Sequence, residues 1–226
     1  MSTSFPNRTS LAAAEQCETA ATIAAPATWQ RSVKRMIDIF GAAAGLIFLS
    51  PLLLVIAALV KLHDGGPALY RRRVVGPRGA FDAFKLRSMR VDADAVLEQS
   101  ADLRRSFERS YKLKEDPRVT PLGRWMRRFS LDELPQLFNV LVGQMSLVGP
   151  RMITAPELEK YGEYQDLLLT VKPGLTGYWQ VHGRQEVSYE ERVCMDVEYI
   201  SSWKLAKDLH ILWLTPLRVL RGRGAY

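Results

Sequence analysis

The longest apolar run sets the first boundary in the chain. Between Ile39 and Val60 there is no charged residue. At ~1.5 Å per residue a helix over this run is roughly 33 Å long, enough to cross a bilayer core. Its flanks are basic, with Arg31, Lys34 and Arg35 before and Lys61 and Arg71-Arg72-Arg73 after. Ser50-Pro51 sits in the middle, where a proline removes a helical hydrogen bond and favours a kink. Lys and Arg prefer the cytoplasmic side. If both flanks obey that rule, the segment enters and leaves on one face, bent at Ser50-Pro51, with Ser50 able to serve the carbonyl the proline frees. The pattern alone leaves this re-entrant helix-hairpin and a spanning helix equally open, and fits a buried soluble helix less well. Asp38 suits the headgroup level.

Beyond Gly65-Gly66-Pro67 the periodicity shortens. Ala68–Val75 and Ala80–Met89 read as two strands around the turn residues Gly76-Pro77-Arg78-Gly79, a β-hairpin. Val91 to about Lys114 is highly charged and helix-prone. Pro121 suits a helix start, and Leu122, Trp125, Met126 and Phe129 then recur at helical spacing against Arg124, Arg127 and Arg128. That is an amphipathic helix with a basic face, as at a membrane surface, although a surface helix packed on a core has the same pattern. Further helices are expected over Pro156 to Leu169 and from Tyr189 to about Leu220, the last interrupted at Thr215-Pro216.

The stretch Ser130-Leu131-Asp132-Glu133-Leu134-Pro135-Gln136-Leu137 carries the clearest chemistry. Ser130 followed by Glu133 has the spacing of a capping box, so a helix should start here and end near Gly143. Asp132 then lies in its first turn, where unpaired N–H groups and the helix dipole favour an ionised carboxylate and suit phosphate. Acidic residues are common in first turns for stability alone. Two adjacent carboxylates could also serve as nucleophile and Mg²⁺ ligand, since Mg²⁺ prefers oxygen and arrives with phosphates. Downstream, Lys172-Pro173-Gly174-Leu175-Thr176-Gly177-Tyr178-Trp179-Gln180-Val181-His182-Gly183-Arg184 combines glycines, exposed-looking aromatics and cations. Such a loop can cradle phosphate through backbone N–H groups, or be a plain turn.

Composition narrows the partners. The chain has 226 residues and a formal net charge of +7, which calls for an anionic partner: nucleic acid, anionic lipid or a phosphorylated substrate. Cys17 and Cys194 are far apart and His63, His182 and His210 form no cluster, which argues against a disulfide framework or a zinc site. Residues 1–30, rich in Ala, Thr and Ser, read as a mobile tail without the pattern of a signal peptide. They precede a membrane segment at 31–64 and a domain at 65–226. The fold class expected is α+β, mostly helical: a re-entrant hairpin, interfacial amphipathic helices and a small β-hairpin around a compact cytosolic catalytic domain.

The order of motifs is more specific than any one of them. The basic-flanked apolar run with Ser50-Pro51 is followed by Phe84-Lys85-Leu86-Arg87-Ser88-Met89, the Asp132-Glu133 stretch and Ser146-Leu147-Val148-Gly149-Pro150-Arg151. Lys172-Pro173-Gly174-Leu175-Thr176-Gly177 with Gln180-Val181 and Gly183-Arg184 completes it. This order resembles the bacterial sugar transferase family, the monotopic phosphoglycosyl transferases, over roughly Lys34 to Leu217. The short chain is similar to the exopolysaccharide-initiating members.

The resemblance implies transfer of a hexose-1-phosphate from a UDP-sugar to polyprenyl (undecaprenyl) phosphate, with release of UMP. It implies Asp132 as nucleophile through a phosphoryl-aspartate, and Glu133 with Asp132 as holders of Mg²⁺. Lys85, Arg128, Arg151 and Arg184 would bind phosphates, and Asp208 and Asp196 would complete the polar site. The membrane segment would be re-entrant at the cytoplasmic face of the bacterial inner membrane, among membrane lipid, with no nucleic acid bound and a homo-oligomer left open. Galactose or glucose is the sugar expected from the exopolysaccharide-like form. Met152, where many members have proline, and His182, where asparagine is common, depart from the pattern without touching the dyad. Two other readings compete: a non-catalytic scaffold of a polysaccharide assembly complex, and a membrane-tethered nucleic-acid-binding protein. The first leaves the intact carboxylates and cations without a purpose; the second lacks a base-reading module.

Overall fold

The computed structural model describes residues 27–110, 113, 116–182 and 187–221. Helix α1 runs from Thr28 to Asp64 with Pro51 inside it and Gly65, at φ 73°, closing its C-terminus. Among the described residues it is the one helix long and apolar enough to cross a membrane. The proline cannot bond the carbonyl of Ile47, and the Ser50 hydroxyl donates to that carbonyl instead at 2.9 Å. The helix therefore continues through Ser50-Pro51 without leaving an acceptor bare.

Both halves of α1 rest on the same folded body. In the first half Asp38, 3% exposed, accepts from Ser146 Oγ at 3.0 Å and from the Leu147 N–H at 2.8 Å. It is thus buried rather than held at headgroup level. Lys34 pairs with Asp208 at 2.5 Å, and Arg35 donates to the carbonyls of Val140 and Leu141. In the second half Ile56 and Val60 pack with Leu86 and Met126, and Asp64 pairs with Arg87. Between the two contact zones Ile47, Phe48 and Leu54 are 70%, 81% and 71% exposed. Apolar burial of this kind contributes about 1.5–3 kcal/mol per fully buried side chain, so each half is independently held.

The expected hairpin forms from β1, Leu69–Val74, and β2, Phe81–Leu86, antiparallel with Tyr70 opposite Lys85. Gly79, at φ 96°, supplies the left-handed turn conformation. The charged region that follows is helical at α2, Ala93–Glu98, and α3, Ala101–Ser110. Helix α4, Pro121–Arg128, starts at Thr120, whose hydroxyl accepts from the Gly123 N–H. Of its apolar stripe Met126 is fully buried while Trp125 is 46% exposed.

A 3-10 turn over Leu131–Glu133 leads into α5, Gln136–Leu141, and Gly143 at φ 86° ends it as expected. The capping box does not form. Ser130 has φ 54°, in the left-handed region, and its side chain caps nothing. Two causes are visible: Pro135 has no N–H to return to Leu131, so the turn closes by the shorter bonds Glu133 N–H to Ser130 O and Leu134 N–H to Leu131 O; and the Glu133 carboxylate is taken by cations, which bind it more strongly than a backbone amide.

Strand β3, Ser146–Val148, pairs in parallel with β4, Gly174–Thr176. The helix expected over Pro156 to Leu169 is broken into α6, Ala155–Leu158, a 3-10 stretch Glu159–Tyr164 and α7, Gln165–Leu168, because Gly162 takes φ 52°. After α8, Tyr178–His182, come α9, Tyr189–Ser201, and α10, Leu205–Arg221. Their break falls at Ser202–Lys204, and α10 runs through Thr215-Pro216 instead of stopping there. The main core gathers Val148, Tyr161, Val181, Val197, Tyr199 and Ile211. A second cluster, which includes Met152, joins α1 and the hairpin to α5.

Candidate active site

Asp132 lies in the 3-10 turn and is only 6% exposed. Among the described residues its carboxylate accepts no hydrogen bond; it faces Lys85, Glu133, Arg127 and Arg151 through space. Burial, with Glu133 beside it, pushes its carboxyl above the ordinary range, opposed by Lys85, Arg127 and Arg151. The helix start therefore does not hold this carboxyl in the ordinary range; burial outweighs it, and the surrounding cations limit the rise. Ser130, the single non-glycine residue with positive φ among those described, precedes this turn. Such a conformation costs an L-residue about 1–2 kcal/mol and gathers at functional sites.

Glu133 is the hub. Its Oε1 accepts from Lys85 Nζ at 2.7 Å and from the Arg151 guanidinium at 3.1 Å. Three separate parts of the chain meet here: β2, the 3-10 turn and the segment after β3. Asn139 on α5, 0% exposed, fixes β2 against the turn. Its Oδ1 accepts from the Phe84 N–H at 3.1 Å, and its Nδ2 donates to the Asp82 carbonyl at 2.8 Å and to Gln144 Oε1 at 2.7 Å. A side-chain amide thus pairs with the free edge of β2 as a neighbouring strand would, and Lys85 is the next residue along.

Arg151 bridges to Gly174, and the glycines around it are needed for close approach. A Cβ on Gly174 would lie 2.1 Å from Gly149 N, and one on Gly177 2.3 Å from Gly149 O. The glycine-rich stretch is therefore partly a strand packed against its neighbour. Trp179, expected to be exposed, is 3% exposed, with the Arg151 guanidinium carbon 5.9 Å and that of Arg192 4.7 Å from its ring centre.

The other expected site residues fall in different places. Arg128 is exposed and stacks on Phe129 at 5.6 Å. The arginine that faces Asp132 is its neighbour Arg127, whose Nε donates to Ser88 Oγ at 2.9 Å. Arg184 lies outside the described residues. Asp196 is buried and accepts from the Tyr161 hydroxyl at 2.9 Å. Burial pushes its carboxyl up to about 7, against the pull of that hydrogen bond and of Arg151 and Arg192. It borders the Arg151 side of the site. Asp208 accepts from Lys34, from the Tyr199 hydroxyl at 2.7 Å and from Trp203 Nε1 at 3.0 Å; it anchors α1 to α9 and α10. His182 Nδ1 lies 2.9 Å from the Tyr178 carbonyl.

Asn139, Arg127 and Arg192 were not singled out from the sequence. Asn139 had a signal: a lone amide inside the apolar run Leu137-Phe138-Asn139-Val140-Leu141 must find buried partners. Arg127 and Arg192 had none, since their surroundings come from distant segments.

Among the described residues no group of three or more His, Cys, Asp or Glu could hold a metal ion by itself. Two adjacent carboxylates do match Mg²⁺, which commonly takes one or two protein carboxylates and completes its shell with water and substrate phosphate.

Comparison with known proteins shows the family. The family model described as "Bacterial sugar transferase" matches residues 29–222. The chain is 47% identical over 201 residues to the undecaprenyl-phosphate galactose phosphotransferase of Salmonella typhimurium, covering 87% of this chain and 42% of the relative. It is 43% identical over 198 residues to the exopolysaccharide production protein ExoY of Rhizobium meliloti, covering 85% and 88%. The UDP-glucose:undecaprenyl-phosphate glucose-1-phosphate transferase of Escherichia coli is 39% identical over 206 residues, covering 87% and 42%. The chain thus spans about two fifths of the longer relatives and most of the shorter one. The matched span holds the whole Asp132–Glu133–Lys85–Arg151 arrangement, and the chain belongs to the bacterial sugar transferase family.

Proposed function

We propose that the chain transfers a hexose-1-phosphate from a UDP-sugar to polyprenyl phosphate and releases UMP. The observation that carries this reading is the buried Asp132 beside a glutamate held by two cations, a site built for a carboxylate and a phosphate at close range. Galactose and glucose are the sugars in the relatives' names and are the first donors to test.

Asp132 attacks the sugar-bearing phosphorus. The bond from that phosphorus to the bridging oxygen breaks, and its electron pair leaves with UMP. The phosphate of the polyprenyl acceptor then attacks the phosphoryl-aspartate and returns Asp132 as a carboxylate. Lys85 and Arg151 do two things: they fix Glu133 and they lower the barrier to bringing one anion against another. Mg²⁺ held by Asp132 and Glu133 would supply further positive charge to the diphosphate oxygens.

The structure also supports a one-sided membrane arrangement. Asp208 and Arg87 hold the two ends of α1 on one folded body, so the exposed apolar middle can enter a bilayer while both ends stay on one face. We assign that face to the cytoplasm, where the basic flanks belong.

The test is the nucleotide released by the detergent-solubilised chain with Mg²⁺, polyprenyl phosphate and a panel of UDP-sugars. UMP is expected, and no UMP from Asp132→Asn. Release of UDP, or full activity of Asp132→Asn, would refute the reading.

A further inference from the structure

Next to Arg151, on the same Trp179 ring, stands a cation without a role in the steps above. Arg192 is in the first turn of α9. Its Nε is buried without a hydrogen-bond partner, and no ion pair to it occurs among the described residues. The nearby acids are otherwise engaged or turned to solvent. Glu191 closes the capping box with Ser188, Glu190 is exposed, and Asp196 is bonded to Tyr161. Arg192 and Arg151 both lie within 6 Å of the Trp179 ring centre. Burial and the like charge of Arg151 both disfavour the Arg192 cation, and a bound anion would relieve both.

The contacts run in sequence: Arg151 faces Asp132 and holds Glu133, and Arg151 and Arg192 share the Trp179 ring. In phosphoryl transfer the attacking and leaving oxygens are roughly in line across the phosphorus. With Asp132 as nucleophile, the phosphate that departs lies on the far side of the attacked phosphorus. Arg192 neighbours Arg151 and is not among the charges that face Asp132, a place that suits the second phosphate of the same diphosphate. We propose that Arg192, seated on Trp179, is the subsite for the phosphate that leaves with the nucleotide, so that it stabilises charge developing on the nucleoside monophosphate. This rests on the transfer reading above. Arginine suits the task because its planar fork can stack on the indole and still bind phosphate with two donors.

Binding of UMP, of uridine and of a short isoprenyl phosphate to the full chain in detergent, by titration calorimetry, tests the proposal. In the wild type UMP should bind more tightly than uridine. Arg192→Gln should weaken UMP by at least about tenfold, the value of a charge-assisted contact, and leave uridine and isoprenyl phosphate unchanged. Arg192→Lys, which keeps the charge and loses the fork, should fall between, and serves alone if the glutamine variant does not fold. Unchanged UMP binding in both variants overturns the proposal, as does equal weakening of UMP and uridine. Weakening of isoprenyl phosphate instead also overturns it and moves Arg192 to the acceptor. Failure of the transfer reading is seen separately, as wild type that releases UDP in place of UMP.

Discussion

Replacing Asn139 with alanine tests whether β2 is positioned by a side chain. The mutation removes two bonds inside the interface, from the Phe84 N–H and to the Asp82 carbonyl, and a third to Gln144. Gln144 is exposed and rehydrates, so it adds little. The other two groups lie on the edge of β2 covered by α5, and each unmatched backbone group costs roughly 1–3 kcal/mol. With partial relaxation the total is about 3 kcal/mol. For a chain of this size 1 kcal/mol moves Tm by roughly 2–4 °C, so Tm should fall by about 6–12 °C. Loosening β2 also loosens Lys85, and UMP release should drop on the order of tenfold or more, as small misplacements in active sites do. Thermal unfolding followed by near-ultraviolet circular dichroism measures the first effect. Asn139→Asp keeps the acceptor for Phe84 but sets an oxygen against the Asp82 carbonyl, and should be at least as damaging. A Tm change under about 2 °C for Asn139→Ala would refute the idea that this amide holds the strand.

Three further outcomes follow from the site and the packing. Because burial raises the Asp132 carboxyl, the folded state favours its protonated form; that stabilisation is full below the unfolded value and is lost as pH rises through the folded one. Asp132→Asn should therefore melt no lower than wild type at neutral pH, and the acid limb of wild-type turnover should lie above the ordinary carboxylate range. The same sign holds at Asp196, whose folded value is about 7: wild-type Tm should decline from about pH 4 to about pH 7, and Asp196→Asn should flatten that decline in a pH series of melting curves. Gly123→Ala should unfold the α4 contact, since its Cβ would lie 1.9 Å from the Ser88 carbonyl oxygen, whereas Gly45→Ala meets only the end of Leu137 at 3.0 Å and should lower Tm far less.

The local sequence determined what depends on neighbours along the chain. The uncharged run with basic flanks specified α1, and Gly76-Pro77-Arg78-Gly79 between two apolar stretches specified the hairpin. Pro121 and Gly143 marked a helix start and a helix end through their own backbone restrictions. The Asp132-Glu133 pair stood out through the order of motifs around it, since acidic residues in a first turn also occur for stability alone. Tertiary structure decided what depends on competition between distant groups. Ser130 and Glu133 had the spacing of a cap, yet Lys85 and Arg151, arriving from two other segments, took the glutamate. Arg127 and not Arg128 faces Asp132, a choice of helix face made by the packing of Met126. Asp208, a candidate for the site, became an anchor for α1 because Lys34, Tyr199 and Trp203 reach it first. A carboxylate binds the strongest donors that folding brings within reach, and no spacing along the chain records which those will be.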